Sequence, residues 1–190
     1  MRKPELEDVL RRAARRDPEA LETLVDLYSP RVYGLLYRLC GSRDAAEELL
    51  QETFLRVVRT IDRYEHTGKF EAWLFRIAAN LARDRARQGR RRGSMASLDE
   101  SPVDAELSSP DRMSTDAEPQ RRLMQKEACD RLLECLERLT HPEREILYLR
   151  HFSGLSFQKI AEILEVPLGT ALARAHRALK RLRAEFNESY

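Results

Sequence analysis

Arginines at 174, 177 and 181 recur at i, i+3 and i+7, a spacing that sets three guanidinium groups on one face of a helix. Such a face can hold phosphates or read guanine edges in a major groove. A second basic group lies upstream. Arg83, Arg85, Arg87 and Arg90 to Arg92 follow Phe70, Trp73 and Asn80, with Tyr64, His66 and Lys69 just before. Aromatic rings beside guanidinium groups suit unpaired bases, because every base offers a face to stack on and a phosphate to neutralise. Core packing is the competing reading for Phe70 and Trp73, and it is favoured for Trp73. Tyr64 and His66, expected in a loop, are better placed for exposure. A third group is acidic: Asp44, Glu47, Glu48, Gln51 and Glu52 share the polar side of one amphipathic stretch.

Other chemistry is missing. No Gly-rich phosphate loop, H-E-x-x-H or G-x-S-x-G is present, and the remaining carboxylates fall where solvated ion pairs are the default. Cys40, Cys129 and Cys135 contain no C-x-x-C pair, and His66, His141, His151 and His176 form no metal-ligand spacing with them. No catalysis, cofactor or metal is expected, and the thiols are expected reduced and mostly packed. The chain has no apolar run near the length of a membrane span and no N-terminal signal pattern, so a cytoplasmic protein without membrane insertion is expected.

The elements that position these groups are helical throughout. After a charged lead-in, Asp17-Pro18-Glu19 reads as a helix start, with Leu21, Leu24, Val25 and Tyr28 as its apolar stripe. Pro30 is expected to interrupt, and a second stripe, Val32, Leu35, Leu36 and Leu39, runs to a natural end at Gly41. Ser42 caps a third helix through Leu49, Leu50, Phe54, Val57, Val58 and Ile61. Residues 64–69 form a polar loop, and a fourth helix from Phe70 runs into the arginine cluster. The C-terminal part restarts near Gln120, with Leu123, Cys129, Leu132, Leu133 and Leu136 expected to face a core. Another helix begins at Thr140-His141-Pro142-Glu143 and closes at Gly154. Then come Ser156 as cap, an apolar side of Ile160, Ala161 and Leu164, a break at Glu165-Val166-Pro167, and a basic helix from Leu168. A short helix, a tight turn and a basic second helix make the pattern of a helix-turn-helix. Ala161 and Gly169 are expected to let its two helices cross closely.

Composition fits two units. The chain has 190 residues, 35% of them charged, yet a net charge of only +2. The charges are segregated: residues 83–93 hold six arginines and one aspartate, whereas 94–119 hold seven acidic residues and one arginine, without periodicity. The expected fold is all-α. A four-helix bundle at 1–93 and a helix-turn-helix domain at 120–190 are joined by a flexible acidic linker at 94–119.

The order of DAAEELLQETFLRVVR, FEAWLFRIAANLARDRAR and LSFQKIAEILEVPLGTALARAHRALKRL resembles an extracytoplasmic-function sigma factor of bacterial RNA polymerase, over about Pro18 to Phe186. The resemblance implies a subunit, not an enzyme, that binds core polymerase and directs promoter-specific initiation. It implies that Asp44, Glu48, Gln51 and Glu52 dock on the polymerase. Tyr64, His66 and Lys69 would hold a flipped base of the −10 promoter element. Asn80, Arg83, Asp84 and Arg87 would face the same element. Ser156, Gln158, Thr170, Leu172, Arg174, Arg177 and Arg181 would meet the −35 element. A cognate anti-sigma factor is an implied partner. One departure bears on the last helix. The family commonly opens it G-T-V-K-S-R, but here Ala171, Leu172 and Ala173 stand between Gly169-Thr170 and Arg174. Leu172 and Leu179 are expected to extend the core; the competing reading has Leu172 touching a thymine methyl or a protein partner. A stand-alone helix-turn-helix regulator and a protein-only adaptor are the other functional readings.

Overall fold

The computed structural model describes residues 3–64, 68–91 and 119–188, and every regular element among them is helical. The 94–118 part of the expected linker, His66 and Arg92 lie outside the described residues.

The N-terminal unit has four helices: α1 (Lys3–Ala14), α2 (Pro18–Cys40), α3 (Arg43–Thr60) and α4 (Phe70–Arg91). A 3₁₀ turn, Ile61–Arg63, ends α3. Local chemistry sets the boundaries. The Asp17 carboxylate accepts from the backbone N–H of Glu19 at 3.0 Å and of Ala20 at 3.4 Å, satisfying donors that α2 cannot. Arg12 clamps the same carboxylate at 2.6 Å. Gly41 ends α2 in the left-handed region at φ 67°, and its N–H donates to Tyr37. Ser42 then accepts from Ala45 N–H to start α3. Pro30 does not interrupt; α2 runs through it. Proline removes one backbone donor and crowds the preceding turn. Here buried Tyr28 and Val32 flank it and tie both halves of the helix to one core.

That core is built from Leu24, Val32, Leu35 and Leu36 of α2, with Leu74, Phe75, Ala78 and Ala79 of α4, all under 2% exposed. Burying each large side chain contributes about 1.5–3 kcal/mol, so these contacts outweigh the proline penalty.

The C-terminal unit comprises α5 (Pro119–Glu137), α6 (His141–Leu147), α7 (Phe157–Leu164) and α8 (Leu168–Glu188). A capping box opens α6, in which Glu143 accepts from the Thr140 backbone N–H at 3.0 Å. The chain then widens into a π turn, Tyr148–Phe152, and Gly154 (φ 65°) redirects it into α7. Ser156 caps α7 through Lys159 N–H. Glu165 takes the left-handed conformation at φ 54° that ends it. The core here is Ile146, Leu149, Leu155, Ile160 and Ile163 against Ala171, Ala175 and Ala178 of α8.

Two expectations about packing fail. Along the described side chains of α5, residues 126–137, the buried residues are Cys135 and Leu136, while Cys129 and Leu132 are exposed, and the side chain of Leu123 lies outside the described residues. Over that stretch the inward side is set by the last turn, where the chain leads into α6. At Gly169 a Cβ would meet nothing within 4 Å, so the close approach of α7 and α8 rests on Ala161 and the α8 alanines.

Candidate nucleic-acid interfaces

Along α4 and the residue before it, Lys69, Trp73, Arg76, Asn80, Arg83 and Arg87 repeat at alternating four and three residues and share one face. Beneath its N-terminal end lies an open cleft of about 660 Å³, lined by Thr60, Arg63, Tyr64, Lys69, Trp73 and Arg76 together with Glu162 of the C-terminal unit. The Tyr64 and Trp73 ring centroids are 5.0 Å apart, and Phe70 sits 5.7 Å from each. Phe70 is buried, while Tyr64 and Trp73 are half-buried, each with one side toward the cleft. Trp73 is thus both a wall of the core and a surface a planar ring can stack on. Tyr64 is less exposed than a loop position suggests, because its ring packs on Phe70.

Farther along α4, Asn80 is exposed and its side-chain oxygen accepts from Arg83 at 2.7 Å. Arg87 lies 3.6 Å from Asp84. Arg85 points the other way and pairs with Glu48 of α3 at 2.6 Å. The arginine cluster is therefore split between two faces of α4. Arg76 was not singled out from the sequence, although its spacing of seven from both Lys69 and Arg83 could have marked it.

The first basic face is covered. The Arg83 guanidinium donates to Glu145 of α6 at 2.9 Å, and the Glu145 side chain is 4% exposed. Lys69 pairs with Glu162 at 2.9 Å and Arg76 with Glu165 at 3.5 Å, both carboxylates belonging to α7 and its cap. Lys159 of α7 pairs with Glu71, which also receives Arg31 at 2.5 Å. Burial alone would raise the Glu71 pKa, but hydrogen bonds from Lys159 and Arg31 outweigh it and hold the carboxyl below its usual value. Arg31 also donates to the Ser153 carbonyl, and Arg38 lies 3.9 Å over the Phe152 ring.

On α3, Asp44, Glu48 and Gln51 are exposed and Glu52 is half-exposed. Glu52 pairs with Arg56 at 2.8 Å. Leu55, 49% exposed, stands on the same side, an apolar contact among carboxylates that the sequence reading passed over.

On α8, Thr170, Arg174, Arg177 and Arg181 share one side, and all but half-buried Arg174 are exposed. Arg181 reaches Glu143 at 3.6 Å. Opposite the buried alanines lie Ala173, His176, Lys180 and Arg183, all exposed. Charge alone pointed to the arginines; only the position of the alanine stripe shows that this second set faces outward. Leu172 and Leu179 do not extend the core: they are 45% and 44% exposed. Ala171, Ala175 and Ala178 make the inward contact, and their small size draws α8 so close that the leucines stand beside the seam. Ser156 spends its hydroxyl on the α7 cap, and Gln158 lies in the shallow groove before Pro167.

Comparison with known proteins decides what these faces belong to. The Sigma-70 region 2 family matches residues 24–92, and Sigma-70, region 4 matches 129–182. The RNA polymerase sigma factor CarQ of Myxococcus xanthus is 36% identical over 170 residues, covering 90% of this chain and 91% of that protein. The chain belongs to the extracytoplasmic-function sigma factors. The ECF RNA polymerase sigma factor SigW of Bacillus subtilis is 29% identical over 179 residues, covering 90% of this chain and 91% of SigW. Solved structures share the fold across both units. CnrH, in complex with the cytosolic domain of CnrY, gives a TM-score of 0.68 at 20% identity, covering 96% of this chain and 97% of CnrH. RpoE from Bartonella quintana, in complex with the anti-sigma factor NepR, gives 0.66 at 24% identity, covering 87% and 96%.

As a sigma factor, the protein binds core RNA polymerase and directs promoter-specific transcription initiation through −10 and −35 elements. Members of this family are initiation factors and not catalysts. No helix among the described residues is long and apolar enough to cross a membrane.

Proposed function

We propose how this chain divides the work of a sigma factor among its residues. Residues 1–93 form the polymerase- and −10-binding domain, 94–119 the linker, and 120–190 the −35-binding domain. Asp44, Glu48, Gln51 and Glu52 of α3 dock on a basic surface of core polymerase, with Leu55 as the apolar contact among them. The −10 strand lies along α4, its phosphates on Lys69, Arg76, Arg83 and Arg87 and its bases toward Asn80 and Asp84. One base leaves the stack and enters the cleft that Tyr64 and Trp73 line, packing against their rings from the open side; His66 would join Tyr64 and Lys69 there. The observation that carries this reading is the coincidence of the aromatic cleft with the basic face of α4, the pairing of stack and charge that unpaired DNA requires.

The −35 duplex meets α8 and the α7 cap. Thr170, Arg174, Arg177 and Arg181 take phosphates on one flank, with Ser156 and Gln158 on the other. Leu172, with Ala173 and His176, faces base edges. The chain catalyses nothing itself and works in the cytoplasm. An anti-sigma factor is its expected regulator, since the similar folds of CnrH and RpoE were each solved with such a partner domain or factor.

Transcription from a randomised promoter library with core polymerase tests the division. Glu48→Lys with Glu52→Lys removes initiation at every promoter, whereas Trp73→Ala leaves polymerase binding intact and stops strand opening. Duplex binding by the protein alone, with no stimulation of core polymerase, would instead favour a stand-alone regulator.

A further inference from the structure

Of the arginine side chains described in the N-terminal unit, Arg15, Arg59 and Arg63 alone have no ion pair, hydrogen bond or ring contact among the described residues. They gather at one corner of the fold. Arg16 ends α1 in the left-handed region at φ 62° and reaches Asp62 of the 3₁₀ turn at 3.7 Å. Glycine adopts that conformation freely and arginine does so at a cost; what arginine adds is a cation and a pin between α1 and the turn. Arg15 and Arg63 are the chain neighbours of the two pinned residues, and Arg59 stands one helical turn before Arg63. All four arginines are exposed, and Asp62 is the one carboxylate that any of them meets among the described residues. The same turn is a wall of the aromatic cleft, which Arg63 lines beside Thr60 and Tyr64.

We propose that Arg63, Arg59 and Arg15 form a second phosphate track, which holds the promoter strand beyond the flipped base, where it leaves the cleft away from α4. The proposal rests on the assignment of the cleft to a base of the −10 strand. A strand with one base in the cleft continues in both directions. In one direction the cations of α4 lie beneath it. In the other lie the 61–63 turn and the end of α1, whose unpaired guanidinium groups can take a phosphate without first giving up a carboxylate. Isolated exposed arginines report only a solvated surface; three that lead away from the mouth of an aromatic cleft follow the path of a backbone. The track recognises charge alone. Neither Arg15 nor Arg59 touches a ring among the described residues, so nothing there stacks a base, and phosphate contacts position a strand without reading it. The track therefore lengthens the footprint of the N-terminal unit past the −10 bases and adds affinity without adding sequence preference.

The test uses holoenzyme assembled from core polymerase and the full chain, with fluorescent single-stranded oligonucleotides of a library-selected −10 sequence. One stops at the −10 element, and two others carry a short extension of mixed sequence at one end or the other. Arg15→Gln with Arg59→Gln is the deciding variant, since both residues are exposed, unpaired and outside the cleft lining. A control, Lys126→Gln with Arg138→Gln, makes the same charge change at exposed positions of the C-terminal unit. Wild type is expected to bind one of the extended oligonucleotides more tightly than the short one, with a steeper salt dependence. The variant should match wild type on the short oligonucleotide and lose about 1.4 from the salt slope on the extended one, the share of two single-strand phosphates. Its deficit should then shrink about sevenfold between about 50 and 200 mM salt. A variant equal to wild type on both extended oligonucleotides, a loss matched by the control, or a loss as large on the short oligonucleotide overturns the track. So does a gain from extension that follows the identity of the added bases. Trp73→Ala on the short oligonucleotide tests the cleft by itself. If it weakens binding while Arg15 and Arg59 prove silent, the −10 reading stands and only the extension is lost.

Discussion

α4 and α8 both carry cations at helical spacing, yet the face that runs from Lys69 along α4 meets three carboxylates of the C-terminal unit, while the outward side of α8 meets none among the described residues. The difference does not lie in the number of basic residues. It lies in what the buried side of each helix packs against. α4 buries Leu74, Phe75, Ala78 and Ala79 in its own unit and turns its basic face toward α6 and α7. α8 buries alanines against α6 and α7, which leaves its outward side, with His176, Lys180 and Arg183, exposed and with no element above it among the described residues. A charge run therefore reports a binding face only when the packing of the opposite side is known.

The largest effect that would break this comparison is at Glu145. Glu145→Ala leaves Arg83, in the seam between the two units, without its carboxylate, and removal of one partner from a buried pair costs about 3 kcal/mol. Urea unfolding should show that loss. Arg181→Ala on the open helix should cost under about 0.5 kcal/mol, since its pairs are exposed and long. Equal costs would mean that Arg83 has water to turn to and that the seam is looser than its geometry.

Next in size is duplex binding. Arg177→Ala and Lys180→Ala should each weaken −35 duplex binding by about 1 kcal/mol, near fivefold, and lower the salt slope by about 1. Arg83→Ala should leave duplex binding unchanged. Anisotropy titrations across a range of salt concentrations separate the two helices; a loss from Arg83→Ala as large as that from Arg177→Ala would erase the distinction.

A smaller effect follows pH. Although burial alone would raise it, the Glu71 carboxyl is held below the ordinary glutamate value of 4.5 in the folded chain by Lys159 and Arg31. Its folded pKa is depressed, so its contribution is complete above the unfolded value and is lost as pH falls through the folded one. Below about pH 4.5 the seam should therefore open before the N-terminal core melts, read as an expansion in scattering that precedes loss of helical circular dichroism. Glu71→Gln should open at neutral pH and lose that early step.

Helix identity and order were legible because Asp17, Gly41, Ser42, Thr140 and Ser156 mark ends by local hydrogen bonding, which a linear sequence states directly. Pro30 misled because a penalty of local geometry was outweighed by burial on both sides, a tertiary fact. α5 misled because its weak apolar pattern fits more than one inward side. The polar groups of α3 and α4 could be named from spacing, but the partners of Arg83 and Arg85 lie 62 and 37 residues away and follow no spacing rule. Nor could the leucines of α8 be placed, since that required knowing that three alanines suffice to seat the helix.

The smallest expected effect concerns those leucines and sharpens the comparison from the open side. If Leu172 and Leu179 only flank the core, Leu172→Lys and Leu179→Ser should change stability by less than about 0.5 kcal/mol, whereas Ala178→Leu, forced into the seam, should cost about 1–3 kcal/mol. Stability alone leaves the role of Leu172 open, so the deciding measurement is sequence preference. An apolar side chain facing base edges senses the thymine methyl and neutralises no phosphate. Leu172→Ala should then reduce discrimination for thymine at a single −35 position in a selected library while leaving the salt slope unchanged. A change in slope with no change in preference would place Leu172 on the backbone side of the groove and assign base reading to His176 and its neighbours.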